Sequence, residues 1–161
     1  CKGTNLIAFG VDISKDAIDY AHQNIINHGL AGRIAVEVAD IFKLSTLSEL
    51  RDKNTIDVIT SMFVLHEFTY SGYSQAIELL KIIKQTFPKS HLIICEFSRF
   101  SSTSLRKQVS SIAEHHLFHA LSEQGILAPE EWRHIFLDAG YRIIEEIRYD
   151  FAGQVYFILE S

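Results

Sequence analysis

The chain has 161 residues, of which 47% are hydrophobic and 22% are charged, and its formal net charge is -5 at pH 7. These values are typical of a soluble globular domain, and they exclude intrinsic disorder and low-complexity repeats. The 2 cysteines are too few for a disulfide scaffold and fit a reducing cytoplasm. An acidic balance argues against nucleic-acid binding, and no apolar run approaches the roughly 20 residues of a membrane span. We therefore expect one domain over residues 1–161, with neither nucleic acid nor membrane as a partner.

Short apolar runs alternate with amphipathic stretches over the first hundred residues. Strands are predicted over Leu6–Val11, Arg33–Ala39, Asp57–Met62 and His91–Phe97, and helices from Lys15 to Gly29, over Thr46–Arg51 and over Tyr73–Phe87. This alternation predicts βαβ units, a parallel sheet and helices on both of its faces.

The remainder of the chain has a different order of elements. Helices are predicted over Ser104–Leu121 and Pro129–Ala139, and strands over Tyr141–Tyr149 and Gln154–Glu160. Only four residues, 150–153, separate the last two strands, which allows a hairpin but no parallel crossover. The sequence therefore predicts an α/β fold whose mostly parallel sheet ends in an antiparallel pair.

Aspartates follow the first two predicted strands, at the sheet edge where open α/β sheets bind ligands. The carboxylate of Asp12 can accept hydrogen bonds from both hydroxyls of a ribose, or it can join Ser14 in capping the next helix. Asp40 is placed to bond an adenine amino group with Ile41 or Phe42 against the ring, or it is an ordinary loop residue. For each aspartate, the sequence alone does not decide between cofactor binding and the local structural role.

The order GVDIS, VADIF, DVITSMFVLHEF and HLIICEF resembles the class I S-adenosylmethionine-dependent methyltransferases, which have a Rossmann-like fold. The resemblance implies S-adenosylmethionine as cofactor, bound by residues after three successive strands: Asp12 and Ile13 at the ribose, Asp40, Ile41 and Phe42 at the adenine, and Met62 and Phe63 on the methionine side. The first strand and the glycine-rich loop of the family have no counterpart here. We therefore expect an N-terminally incomplete piece of a larger enzyme that methylates a small molecule.

The segment after the third predicted strand carries the candidate catalytic pair. His66 suits proton transfer near neutral pH, and Glu67 could act as the base, orient the imidazole or bind a metal. The alternative is a histidine–glutamate pair at a helix start that faces solvent.

A second histidine cluster lies in the sequence EHHLFH, where His115 and His119 are four residues apart on a predicted helix. These two histidines are candidates to contact substrate, as are Tyr70, Tyr73 and Arg99. Arg99 could bind a substrate carboxylate with two hydrogen bonds, or it is an ordinary surface arginine. The stretch from residue 115 to 132 also resembles methyltransferases that act on the carbon of 2-oxo acids, some of which hold iron with two histidines. That resemblance implies His66 and His119 as candidate iron ligands; a partly exposed, histidine-rich helix is the alternative.

Two other functions remain open at this point: a nicotinamide-dependent Rossmann oxidoreductase, and a non-catalytic cofactor-binding domain. A homodimer is also left open. Trp132 and Phe136 share a helical stripe and are expected in the core, and Cys95 is expected to be an inert residue of a buried strand.

Overall fold

The computed structural model describes residues 6–46, 56–99, 101, 103, 106, 110–122, 126–149 and 153–161, with positions 45, 46, 110–113 and 115 described by their backbone alone. The chain divides into two compact units, Cys1–Arg51 and Asp52–Ser161. None of the helices in the described ranges is long and apolar enough to cross a lipid bilayer. The expectation of a single domain stays a prediction.

The first unit is a βαβ unit. Strand β1 (Ala8–Asp12) and strand β2 (Ile34–Val38) pair in parallel and flank helix α1 (Lys15–Asn27). Gly29, at a φ of +67°, ends α1 as expected, because glycine adopts this left-handed conformation without steric cost. A 3₁₀ helix over Ile41–Thr46 follows β2, whereas residues 47–51 of the helix predicted at Thr46–Arg51 lie outside the described residues.

The described residues of the second unit form a four-stranded sheet and three α-helices. Its elements are β3 (Val58–Met62), a 3₁₀ helix (Leu65–Phe68), α2 (Ser74–Thr86), β4 (His91–Phe97), α3 (Ser110–Leu121), α4 (Pro129–Asp138), β5 (Arg142–Tyr149) and β6 (Gln154–Glu160). The strand order is β3-β4-β6-β5, with β3 and β4 parallel and the other two pairs antiparallel. The α/β fold class and the terminal hairpin are therefore confirmed, and the start predicted for α3 at Ser104 lies outside the described residues.

The core of the second unit lies between α4 and the sheet. Trp132 and Phe136 of α4 are completely buried, as expected, and their rings stack with centroids 6.1 Å apart. Phe136 also stands edge-on to Phe157 of β6 at 4.9 Å. Cys95 of β4 is fully buried, as expected of a residue in a strand that is covered on both faces. Nε1 of Trp132 also donates to the carbonyl of Phe97 at 3.4 Å, so α4 contacts the carboxyl end of β4.

Candidate active site

A buried histidine–glutamate pair lies at the carboxyl end of β4. Glu96 is completely buried, and its Oε2 is 2.8 Å from Nδ1 of His66. Its Oε1 accepts hydrogen bonds from the backbone amides of Val64 at 3.0 Å and Leu65 at 2.7 Å. Burying a carboxylate costs several kcal/mol unless hydrogen bonds replace its hydration. Three such bonds do so here.

The parallel register of β3 and β4 brings the two partners together. Met62 pairs with Cys95, and the amide of the next residue, Phe63, donates to the carbonyl of Cys95 at 2.8 Å. Phe63 then adopts a φ of +57°, an uncommon value for a residue with a side chain, and turns the chain across the end of β4. His66 follows in the 3₁₀ helix, and its carbonyl accepts from the hydroxyl of Thr69 at 2.9 Å.

The rings of Phe97 and His119 lie beside the His66 imidazole. Phe97, the last residue of β4, stacks on Phe63 with ring centroids 4.3 Å apart and stands edge-on to His66 at 5.8 Å. His119 of α3 lies 5.1 Å from Phe97 and 5.4 Å from His66, measured between ring centroids. Both imidazoles are buried, at 4% exposure for His66 and 5% for His119. The structure therefore brings together two histidines that are more than fifty residues apart in the sequence.

The geometry of this pair suits proton transfer. When Glu96 is ionised it accepts a hydrogen bond from the Nδ1–H group of His66, which leaves the lone pair on Nε2 of the imidazole. A carboxylate in this position also stabilises the imidazolium that forms when Nε2 takes up a proton. His66 can therefore act as a general base whose tautomer and orientation are set by Glu96.

Glu67 does not orient His66 in the structure. Its side chain is exposed, because successive residues of the 3₁₀ helix point in different directions and His66 takes the inward one. The orienting partner is Glu96, thirty residues further along the chain. The sequence does carry a signal for it, since a charged residue inside the buried apolar run HLIICEF needs a partner. A role of Glu67 as the base stays a prediction.

A second carboxylate ties together two of the candidate substrate residues. Glu131, in the first turn of α4, accepts from the Tyr73 hydroxyl at 2.6 Å and from the Ala128 amide at 2.8 Å, and it forms an ion pair with Arg99. Burial alone would raise the pKa of Glu131, but the Tyr73 hydroxyl, the Ala128 amide and the Arg99 charge lower it overall. The hydrogen bond to Glu131 and partial burial raise the pKa of Tyr73. Sequence reasoning did not identify Glu131 as the residue that positions both side chains.

In the first unit, Asp12 takes part in capping α1. Its Oδ1 accepts from the amide of Ser14 at 2.8 Å, and the hydroxyl oxygen of Ser14 accepts from the amide of Ala17 at 3.3 Å. Capping is therefore confirmed, and ribose binding stays a prediction. Ile13, between the two capping residues, is 76% exposed.

Asp40 forms the turn after β2. Its Oδ1 accepts from the amide of Phe42 at 2.9 Å, and its Oδ2 is 3.4 Å from the ammonium nitrogen of Lys43. Phe42 and Ile41 are half-buried at the start of the 3₁₀ helix. The adenine contacts of these three residues stay predictions.

The other candidate residues are less enclosed. Met62 is 43% exposed and Tyr70 is 55% exposed. The side chain of His115 lies outside the described part of the chain, so its predicted substrate contact is not tested. Within the described residues, no group of three or more histidine, cysteine, aspartate or glutamate side chains is arranged to hold a metal ion.

Comparison with known proteins identifies the family of this chain. A family model described as a methyltransferase domain matches residues 2–140. No curated protein matches the chain.

Solved structures with the same fold include the mitomycin 7-O-methyltransferase MmcR, with a TM-score of 0.72 and 14% identity over 97% of this chain and 49% of that one. A SAM-dependent methyltransferase from Aquifex aeolicus has a TM-score of 0.67 and 18% identity over 98% and 70% of the two chains. NcsB1, an O-methyltransferase from neocarzinostatin biosynthesis solved with S-adenosylmethionine and 2-hydroxy-5-methyl naphthoic acid, has a TM-score of 0.69 and 14% identity over 97% and 42%. This chain thus spans less than half the length of MmcR and of NcsB1. Since the family model covers most of the chain, the chain belongs to the family of methyltransferase domains.

Proposed function

We propose that the protein containing this chain transfers a methyl group from S-adenosylmethionine to an acidic hydroxyl of a small molecule, with His66 as general base. The buried His66–Glu96 hydrogen bond of 2.8 Å is the observation that carries this proposal. The names of MmcR and NcsB1 support an oxygen acceptor, because both are described as O-methyltransferases. Family membership argues against the alternative of a nicotinamide-dependent oxidoreductase.

Residues at the strand ends would hold the cofactor, as the resemblance implies. Asp12 is exposed at the end of β1, and in the described part of the chain only its Oδ1 has a partner, so Oδ2 can accept from a ribose hydroxyl. Asp40, Ile41 and Phe42 would contact the adenine, and Met62 and Phe63 the methionine side. The bound cofactor supplies a methyl carbon that is activated by the adjacent sulfonium.

The residues of this chain then have one chemical task, which is to move a proton. Nε2 of His66 takes the proton from the acceptor hydroxyl while the oxygen forms its bond to the methyl carbon. The methyl–sulfur bond breaks, its electron pair stays on sulfur, and the products are the methyl ether, S-adenosylhomocysteine and a protonated His66. Glu96 stabilises that imidazolium through Nδ1.

The test compares two histidine variants of the full-length protein. His66→Ala should lower kcat by roughly 10²–10⁴-fold, which is the usual contribution of a general base, while the Kd for S-adenosylhomocysteine stays the same. His134→Ala is the matched control, because His134 is exposed on α4. Full activity of the His66 variant would overturn the base assignment. A protein that binds S-adenosylhomocysteine but does not consume S-adenosylmethionine would instead be the non-catalytic cofactor-binding domain.

A second candidate is methylation at the carbon of a 2-oxo acid, with iron held by His66 and His119. The observation that favours it is the 5.4 Å separation of the two buried imidazole rings, together with the Glu96 hydrogen bond to Nδ1, since histidine ligands commonly bond a carboxylate through their other nitrogen. Bound iron would act as a Lewis acid on the substrate oxygens. Metal analysis of the full-length protein and of His119→Ala separates the two candidates: no iron in the native protein, with activity that survives chelators, excludes this one.

A further inference from the structure

The guanidinium group of Arg99 is half-exposed and follows the stacked rings of Phe63 and Phe97 at the end of β4. Arg99 comes two residues after Phe97, and its amide donates to the carbonyl of Leu127 at 2.8 Å. The side chain of Arg99 is 52% exposed. The backbone of Arg99 is therefore fixed beside the predicted active site, while its charged end is open to a ligand.

One nitrogen of this guanidinium already bonds a carboxylate in the described part of the chain. Nη2 of Arg99 bonds Glu131, whose other contacts are the Tyr73 hydroxyl and the Ala128 amide. In the described part of the chain, Nε and Nη1 of Arg99 form no hydrogen bond with another residue. An arginine that is oriented through one nitrogen and keeps an open donor edge can bind a carboxylate with two parallel hydrogen bonds.

The surroundings of Arg99 favour an anion. Burial lowers the pKa of His116 on α3, and the charges of His119 and Arg99 lower it further. Two acids in the described part of this region already have partners: Glu96 bonds His66, and Glu131 bonds Tyr73 and Arg99 itself. A small anion that enters from the open side of Arg99 therefore meets donors and a positive charge.

We propose that Arg99 binds a carboxylate of the methyl acceptor, so that the acceptors of this protein are small organic acids with a hydroxyl or an enolisable ketone near the carboxylate. This inference rests on the proposed function and specifies its substrate class. Arg99 acts here as a specificity residue that contacts the substrate away from the reacting atom. Glu131 is a positioning residue that acts through Arg99.

Matched pairs of ligands test the charge that Arg99 recognises. The probes are hydroxybenzoates, hydroxynaphthoates and arylpyruvates, each compared with its own carboxamide, and their binding to the full-length protein with S-adenosylhomocysteine is measured by calorimetry. At least one carboxylate should bind about 10- to 100-fold more tightly than its amide, as expected for charge-assisted hydrogen bonds. Arg99→Gln should remove this preference by weakening the carboxylate alone, and Arg99→Lys should retain part of it.

Arg142→Gln is the control, because Arg142 is also an exposed arginine in one ion pair, with Glu160 at the opposite end of the sheet. It should leave the ratio of carboxylate to amide affinity unchanged. A panel in which no carboxylate binds more tightly than its amide would overturn the inference, and so would an Arg99→Gln protein that keeps the preference. Methylation of neutral acceptors that still depends on His66 would overturn this inference but leave the proposed function in place.

Discussion

Nδ1 of His66 lies 2.8 Å from Oε2 of Glu96, although the two residues are thirty positions apart in the sequence. The other oxygen of the carboxylate is occupied by the amides of Val64 and Leu65, which immediately precede the histidine. Glu96 therefore fixes both the backbone that carries His66 and the tautomer of its ring. The function of Glu96 is best tested by substitutions that keep its backbone contacts and alter only the tautomer of His66.

Glu96→Gln should abolish the base function while the protein stays folded. The amide oxygen of glutamine can still accept from Val64 and Leu65, but the NH₂ group donates to Nδ1 of His66, which moves the ring proton to Nε2. We expect kcat to fall by roughly 10²–10⁴-fold, as for His66→Ala, since the base then carries a proton on the reacting nitrogen. The ¹⁵N chemical shifts of the His66 ring report the tautomer directly.

Glu67→Gln is the matched control for this change, because Glu67 is adjacent to His66 but exposed. Its kcat and the His66 tautomer should match those of the native protein. A Glu96→Gln protein with native kcat, or a Glu67→Gln protein with the larger loss, would contradict the assignment of Glu96 as the orienting residue.

The ribose assignment is tested at Asp12. Asp12→Ala should weaken binding of S-adenosylhomocysteine by about 1.5–3 kcal/mol, because hydrogen bonds to a charged group are lost. Asp12→Asn keeps an oxygen for the Ser14 amide, so it separates loss of the cap from loss of charge. The control is Asp16→Asn in the exposed first turn of α1. A native dissociation constant for both Asp12 variants would refute ribose binding.

Phe136 supports the sheet that carries Glu96. Phe136→Ala should lower the free energy of unfolding by roughly 3–5 kcal/mol, since a large buried side chain is lost from a packed core. Leu137→Ala, the next residue and 57% exposed, should change it by less than about 0.5 kcal/mol. Urea denaturation of both variants measures the difference. Similar losses in the two variants would mean that α4 does not pack as the structure shows.

The stability of the hairpin should depend on pH through Glu146. Its carboxylate accepts two hydrogen bonds from Arg133, at 2.7 and 3.0 Å, and one from Arg148 at 2.6 Å. Burial alone would raise the pKa of Glu146, but the two arginines lower it overall. The folded protein thus keeps this carboxylate ionised at a lower pH than the unfolded chain does. The stabilisation is complete above the unfolded pKa of about 4.5 and is lost as pH falls through the lower, folded pKa.

Glu146→Gln should therefore be less stable than the native protein at neutral pH, and the difference should shrink in acid. Glu145→Gln, which replaces an exposed carboxylate of the same strand, should show neither effect. Urea midpoints measured from about pH 7 to about pH 3 follow both differences. A stability difference for Glu146→Gln that does not vary over this range would exclude the ionic contribution.

The order of strands and helices follows from local chemistry, which is why the sequence predicts it well. Strands β4 and β6 lie at the residues that the apolar runs predict, and the four-residue gap before β6 is too short for anything but a hairpin. The same periodicity predicts Trp132 and Phe136 in the core. Asp12 and Asp40 can be identified as candidate cofactor-binding residues for a similar reason, because each directly follows a predicted strand in the sequence.

The partners of the candidate catalytic residues follow from long-range register instead. His66 meets Glu96 because β3 and β4 pair in parallel with Met62 opposite Cys95, and no local pattern encodes that alignment. His119 joins them because α3 packs beside the end of β4, where Phe97 contacts both imidazoles. Composition and periodicity establish which residues form buried strands and helices. Which charged groups meet at the ends of those elements depends on the packing of the whole unit, because each such contact joins segments that the chain keeps far apart.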